Sequence, residues 1–153
     1  MARIVGLLCL TALSFSGPGR SPKPKDVPIV KVEIRRAQNW PAAGLIEMSV
    51  VGEDRKIYLR AHPDLTNADV ASAEAVPATS NNCFNIEITF TAAGAEKMSK
   101  ISAGHILERL AILVDGVVVS APVIHAQIRE RAVISGNFTQ AEAERIAAGL
   151  STR

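Results

Sequence analysis

The side chains of this chain that could bind a metal ion are few, and their spacing does not favour such a site. The three histidines, His62, His105 and His125, form no HExxH pattern and no other arrangement that holds zinc. His105 and Glu108 could share one face of a predicted helix, and we interpret them as a solvated pair. The glycines form no loop of the kind that cradles a phosphate. The sequence therefore predicts neither a metal site nor a cofactor.

Nucleophilic catalysis has equally little support in the sequence. Ser120 and Ser135 lack the GxSxG elbow that exposes a catalytic serine. Asp115 precedes Gly116 in a DG pair, and a position in a tight turn is a sufficient structural reason for this aspartate. We therefore expect a protein that is not an enzyme. A small hydrolase that pairs one of the serines with His125 is the alternative from a different functional class.

The composition is that of one ordinary globular domain without a strongly charged partner. The chain has 153 residues, of which 48% are hydrophobic and 21% are charged. Its formal net charge of +2 is too small to indicate binding to nucleic acid or to an anionic membrane.

The N-terminal residues predict export rather than a membrane anchor. An apolar run at residues 4–15 follows one arginine and precedes small residues, so we interpret residues 1–16 as a signal peptide. A helix of about 12 residues is roughly 18 Å long, well short of the roughly 30 Å hydrocarbon core of a membrane. Residues 17–28 are rich in Pro, Gly and Lys and predict an extended linker. Residues 29–153 then form a single periplasmic domain without a stable membrane span.

The elements that must position these side chains are mostly strands with alternating apolar residues. Strands are predicted near residues 30–35, 46–50, 56–61, 73–76, 84–90, 110–121 and 132–135. One helix should begin at Ala92 after a Thr91 cap, and a second should follow the capping box of Thr139 and Glu142. The expected fold class is α+β, with an antiparallel sheet, two helices packed on one face in a ferredoxin-like manner, and additional N-terminal strands.

The stretch LAILVDGVVVSAPVI predicts a hairpin with Asp115-Gly116 as a two-residue type I′ turn. In this register Val114 faces Val117, Ile112 faces Val119 and Leu110 faces Ala121. These six side chains are expected to form one buried face. The opposite face should be covered either by the N-terminal strands or by a partner. Its candidate partner contacts are Leu113, Val118 and Ser120.

The segment KMSKISAGHILERLAILVDGVVVSAPVI resembles the head of the first periplasmic domain of SecD, the protein-export subunit that works with SecF. Matching positions are Arg109, Leu110, Ala111, Ile112, Asp115, Gly116, Ser120, Ala121, Pro122 and Ile124. YLRAHPDLTNADVASAEA upstream and ISGNFTQAEAERIAAGL downstream extend the similarity to residues 57–150. The chain departs from the family pattern at Leu107-Glu108, where Gly-Lys is frequent, and at Ser102, where Thr is usual.

The resemblance implies a stand-alone, exported, non-catalytic domain that binds polypeptide or an envelope protein, with translocase components as further partners. A mechanism consistent with this is capture of an extended segment along an exposed strand edge. SecD itself carries transmembrane helices whose ionisable residues couple proton flow to polypeptide movement. We expect no such span here, so the chain cannot be a motor alone. A structural or inhibitory envelope module is a further alternative, which the sequence does not separate from a polypeptide-binding domain.

Overall fold

A computed structural model describes residues 30–79 and 82–151 of the chain. The predicted signal peptide (1–16) and linker (17–28) lie outside these residues. Two helices, α1 (Ala92–Gly104) and α2 (Gln140–Ser151), and one short 3-10 helix (Asn67–Asp69) are present. The strands are β1 (Val32–Gln38), β2 (Leu45–Ser49), β3 (Lys56–Arg60), β4 (Leu65–Thr66), β5 (Val70–Pro77), β6 (Phe84–Phe90), β7 (Arg109–Val114), β8 (Val117–Ser120) and β9 (Arg131–Phe138). No helix in the described ranges has both the length and the apolar character needed to cross a membrane.

The first sheet curls until its two edges meet. Its strand order is β2-β3-β1-β7-β8, and β4 pairs with β1 beside β3. Val50, which follows β2, forms a parallel bridge with Val118 of β8. The Val51 amide also donates to the Val118 carbonyl oxygen at 2.9 Å. The curled sheet therefore has an enclosed inner face as well as an outer face.

The second sheet contains three antiparallel strands in the order β5-β6-β9. Its apolar face and the outer face of the first sheet share one core with α1 and α2, which we call the central core. FNIEITF alternates as predicted, with Ile86 and Ile88 buried. Helix α2 buries Ala143, Ile146 and Leu150, the spacing predicted from the sequence. The central core therefore contains side chains from both sheets and both helices.

The inner face of the first sheet holds a separate apolar cluster, which we call the inner core. Its buried members are Ala37, Val50, Ile57, Leu59, Ala111, Leu113, Val118 and Ala121. Alternate side chains of a strand point to opposite faces, so β1 and β7 contribute to both cores. Ile34 and Ile112 lie in the central core, whereas Ala37 and Leu113 lie in the inner core.

The α+β class, the antiparallel pairing and the two helices are confirmed, but the arrangement differs from the expected single sheet. Strand β6 pairs with β5 and β9, not with β1 or β7. The strands therefore form two sheets that bury their apolar faces against each other. A ferredoxin-like arrangement, with two helices on one face of one sheet, is not confirmed.

The central hairpin has the predicted turn but a different register. Asp115 and Gly116 have φ values of +50° and +83°, as a type I′ turn requires. Val114 pairs with Val117 as expected, but Ile112 pairs with Ser120 because a bulge inserts Val119. Ala121 consequently lies in the inner core instead of on the predicted common face, and Val117, although paired as expected, is 48% exposed.

Both predicted helix starts are confirmed by their caps. Thr91 Oγ1 accepts a hydrogen bond from the Gly94 amide at 3.0 Å. Glu142 Oε2 accepts from the Thr139 amide at 2.9 Å, as a capping box requires. The last strand is longer than the predicted residues 132–135, because β9 continues through Gly136 and Asn137 to Phe138.

Leu107 combines an unfavourable backbone conformation with an exposed apolar side chain. Its φ is +70° and it is 75% exposed. Left-handed backbone costs a non-glycine residue about 1–2 kcal/mol, and Leu107→Gly removes this cost while losing little burial. We expect Leu107→Gly to unfold with a free energy about 1 kcal/mol greater than Leu107→Ala, which keeps a Cβ. Urea unfolding of the two variants measures the difference, and a less stable glycine variant would contradict the assigned conformation.

Candidate functional site

The protein's own N-terminal strands bury two of the three predicted contact residues. Leu113 and Val118 are 2% and 0% exposed and lie in the inner core. Ser120 pairs with Ile112 and is buried against β9 instead, where its hydroxyl donates to the Ser135 carbonyl oxygen at 2.9 Å. For the face that carries Leu113 and Val118 the sequence allows two coverings, and the curl of β2 and β3 provides the first of them. The expectation that these side chains are open to a partner is corrected accordingly.

The side chains with catalytic potential are not assembled into a site. His105 donates from Nδ1 to the Ile101 carbonyl oxygen at 2.8 Å, and Arg36 donates to His105 Nε2 at 2.9 Å. Within residues 30–79 and 82–151, no hydrogen bond joins a serine hydroxyl to a histidine. No group of three or more potential ligands in these ranges could hold a metal ion. The hydrolase alternative therefore has no geometric support.

An open groove lies between the two sheets, where the β7-β8 hairpin faces β9 and the first turns of α2. Its volume is about 560 Å³. Apolar side chains from four elements line its floor, namely Val114, Val119, Phe138 and Ile146. We call this feature the inter-sheet groove. A volume of this size lies within the range of about 300–1,000 Å³ that is usual for ligand sites.

A bulge in β9 forms one wall of the inter-sheet groove. Ile86 of β6 pairs with Ile134 and Phe84 pairs with Phe138, so three residues of β9 lie opposite one residue of β6. These bulged residues, Ser135 to Asn137, have no partner in that register, and they line the groove. Bulges of this kind are frequent beside binding and active sites.

Gly136 lets the Phe138 ring pack closely over the backbone of the bulge. A Cβ at this position would lie 2.6 Å from the ring, so a larger residue would require the ring to move. Ser120 adds the hydrogen bond to Ser135 that ties β8 to the same segment. The two sheets are thus fixed relative to each other at one side of the groove.

Charged side chains form the rim of the groove, where Glu53, Asp115, Glu142 and Arg145 are placed. Asp115 Oδ1 accepts from the Lys31 amide at 2.9 Å, and its Oδ2 lies 3.7 Å from the Arg145 guanidinium. Hydrogen bonds from the Thr139 amide and hydroxyl lower the pKa of the Glu142 carboxyl. Glu142 is therefore ionised at neutral pH, and carboxylates outnumber guanidinium groups on the rim.

Two features of the sequence point in part to this groove. The DG pair predicts the hairpin, but the predicted register places Val117 and Val119 in the core, so they do not indicate an open surface. The predicted strand ends before Gly136, although a glycine inside a strand often marks a bulge. The groove itself depends on how β8 and β9 of different sheets approach each other, which no local pattern specifies.

Comparison with known proteins identifies the family. The family described as SecDF, P1 head subdomain, matches residues 45–152. The chain therefore belongs to this family of SecD-type head subdomains. This confirms the resemblance found in the sequence, and the match begins upstream of the similarity recognised there.

The relatives are much longer than this chain. Protein translocase subunit SecD of Magnetococcus marinus is 51% identical over 63 residues, which are 40% of this chain and 12% of that protein. SecD of Elusimicrobium minutum is 34% identical over 93 residues, or 61% of this chain and 20% of that protein. The chain thus spans no more than a fifth of the length of these two relatives.

Two solved structures of SecDF have a similar fold. The first, SecDF in a super-membrane-facing form, has a TM-score of 0.64 at 30% identity and covers 80% of this chain and 18% of that chain. The second is a structure of SecDF, a membrane component that enhances protein export. It has a TM-score of 0.63 at 29% identity and covers 80% of this chain and 62% of that chain.

Proposed function

We propose that this protein takes part in protein export by binding an extended polypeptide segment in the inter-sheet groove. The observation that carries the proposal is an apolar groove of about 560 Å³ bordered by bulged residues that lack partners in the β6 register. Membership of the SecD-type head family supports the link to export. SecD relatives are named as protein translocase subunits, so translocase components are the partners we propose beside the polypeptide.

The same proposal includes the organisation of the chain. Residues 1–16 act as a signal peptide, residues 17–28 act as a linker, and residues 29–153 form one exported, periplasmic domain. Head subdomains of SecDF are parts of a larger membrane component in the related structures. In this proposal the present chain supplies a polypeptide-binding domain.

The apolar floor of the groove suits an extended segment because of the spacing of the segment's side chains. In an extended segment every second side chain points the same way, and these side chains recur about 6.6 Å apart. Apolar side chains at these positions would meet Val119, Phe138 and Ile146. Burial of each such side chain stabilises the complex by about 1–2 kcal/mol before the cost of ordering the segment.

The bulge provides hydrogen-bonding groups for the bound backbone. A segment beside β9 would meet the amides of Ser135, Gly136 and Asn137 and the carbonyls of Gly136 and Asn137, and these three residues have no partner in the β6 register. Main-chain hydrogen bonds give affinity without demanding a particular sequence. A domain that handles many exported chains needs this type of recognition.

Photocrosslinking in the purified protein tests the proposal. A benzophenone side chain at position 117 lies at the groove, and the same group at Val133 is a matched control, since Val133 is similarly exposed at 53% but does not line the groove. The probe is a fluorescein-labelled peptide of alternating Thr and Val. We expect position 117 to yield at least about fivefold more crosslinked peptide than position 133. Equal yields at both positions would overturn the proposal.

A further inference from the structure

The rim of the inter-sheet groove carries more negative than positive side chains, and this difference would favour some polypeptides over others. Glu53, Asp115 and Glu142 line the groove, and Arg145 is the guanidinium group among its lining residues. Asp115 and Arg145 are each about half exposed and 3.7 Å apart, so their mutual attraction is weak. An excess of negative charge therefore borders an apolar floor.

The carboxylates of Glu53 and Glu142 are not fully neutralised by their neighbours and can interact with a ligand in the groove. Glu53 pairs with Arg55, which does not line the groove, and both side chains are partly exposed. Glu142 uses Oε2 for both of its bonds to Thr139, and Oε1 has no hydrogen bond within the described part of the chain. Even with Arg55 included, the carboxylates of the rim outnumber the neighbouring guanidinium groups.

We infer that the groove selects extended polypeptide segments in which a lysine or arginine adjoins apolar side chains. The inference rests on the proposed function and specifies the class of polypeptide for that site. When alternate apolar side chains meet the floor, the intervening side chains point away from it. A long basic side chain among them can place its methylene stem on the apolar surface and its charge at the rim. An acidic side chain at the same position of the segment would be repelled by the carboxylates of the rim.

Binding of three labelled peptides tests this selectivity. They have the same alternating Thr-Val sequence and differ only in a central Lys, Gln or Glu. Because exposed ion pairs contribute weakly but measurably, we expect the Lys peptide to bind about fivefold more tightly than the Glu peptide at low salt. Fluorescence anisotropy measures both affinities, and the ratio should fall as salt approaches about 0.5 M.

A charge-removing double variant locates the selectivity at the rim. Glu53→Gln with Asp115→Asn removes two negative charges, and asparagine tolerates the positive φ at position 115 while its oxygen can still accept from the Lys31 amide. The matched control is Glu47→Gln with Glu96→Gln, whose ion pairs with Lys56 and Lys100 lie outside the groove. We expect the rim variant to bind the Lys and Glu peptides within about twofold of each other and the control to keep the fivefold ratio.

The outcomes separate this inference from the function on which it rests. Equal binding of the Lys and Glu peptides, with the Gln peptide still bound, overturns the selectivity and leaves polypeptide binding intact. Loss of the ratio in the control variant also overturns it, because the preference would then come from net charge. Failure of all three peptides to bind overturns the proposed function itself.

Discussion

Replacing Leu113 with alanine is expected to lower the free energy of unfolding by about 3 kcal/mol. Leu113 is 2% exposed. It lies in the inner core, in the same cluster as Val118 and as Ile57 and Leu59 of β3. Truncation of a buried leucine loses its transfer free energy and leaves a cavity, which together cost about 2–5 kcal/mol. Urea unfolding monitored by circular dichroism measures the change.

Val117→Ala is the matched control for this prediction in the same hairpin. Val117 is 48% exposed, so we expect a loss below about 0.5 kcal/mol. The burial predicted from the sequence would give the opposite order, with Val117 in the core and Leu113 on the other face. A large loss for Val117→Ala together with a small loss for Leu113→Ala would therefore refute the burial assigned to the two faces of the hairpin.

Gly94→Ala is expected to destabilise the protein by about 3 kcal/mol. A Cβ at Gly94 would lie 2.1 Å from the backbone oxygen of Asp69, so α1 or the 3-10 helix must move. The same oxygen accepts a hydrogen bond from the Thr91 amide at 2.9 Å, which holds the start of α1 against the 3-10 helix. Overpacking of this kind costs typically 1–3 kcal/mol, and a displaced hydrogen bond adds about 1 kcal/mol.

Gly104→Ala provides the comparison within the same helix. No atom lies within 4 Å of a Cβ built at Gly104, the last residue of α1. Alanine has the better helix propensity, so we expect a change between zero and a gain of about 0.5 kcal/mol. Thermal unfolding of the two variants tests the contact, and similar melting temperatures would show that Gly94 is not closely packed against Asp69.

Local features of this fold were predictable because their causes are local. The alternation in FNIEITF specifies β6, and the DG pair specifies the turn of the hairpin. Thr91 and Thr139 specify the starts of the two helices through their own hydrogen bonds. None of these predictions needs knowledge of which strand lies beside which.

The candidate site was less predictable because its causes are not local. One extra residue at Val119 changes the register of β8, and the three bulged residues from Ser135 to Asn137 re-aim β9. The apolar face that carries Leu113 has to be buried, and the sequence does not specify whether a partner or the strands β2 and β3 bury it. Both the burial of this face and the opening of the inter-sheet groove follow from contacts between distant segments.

The central position of β1 has a consequence for how the protein folds. The first strand of the described residues, β1, lies between β3 and β7, and Val32 pairs with Val114. Closing a loop of about 80 residues is slow in comparison with forming a local hairpin. The β5-β6 hairpin can assemble early, and one edge of β1 can pair early with β3 and β4, whereas its other edge stays unpaired until β7 reaches it. An unfolded copy of this protein is therefore most exposed to aggregation during that interval.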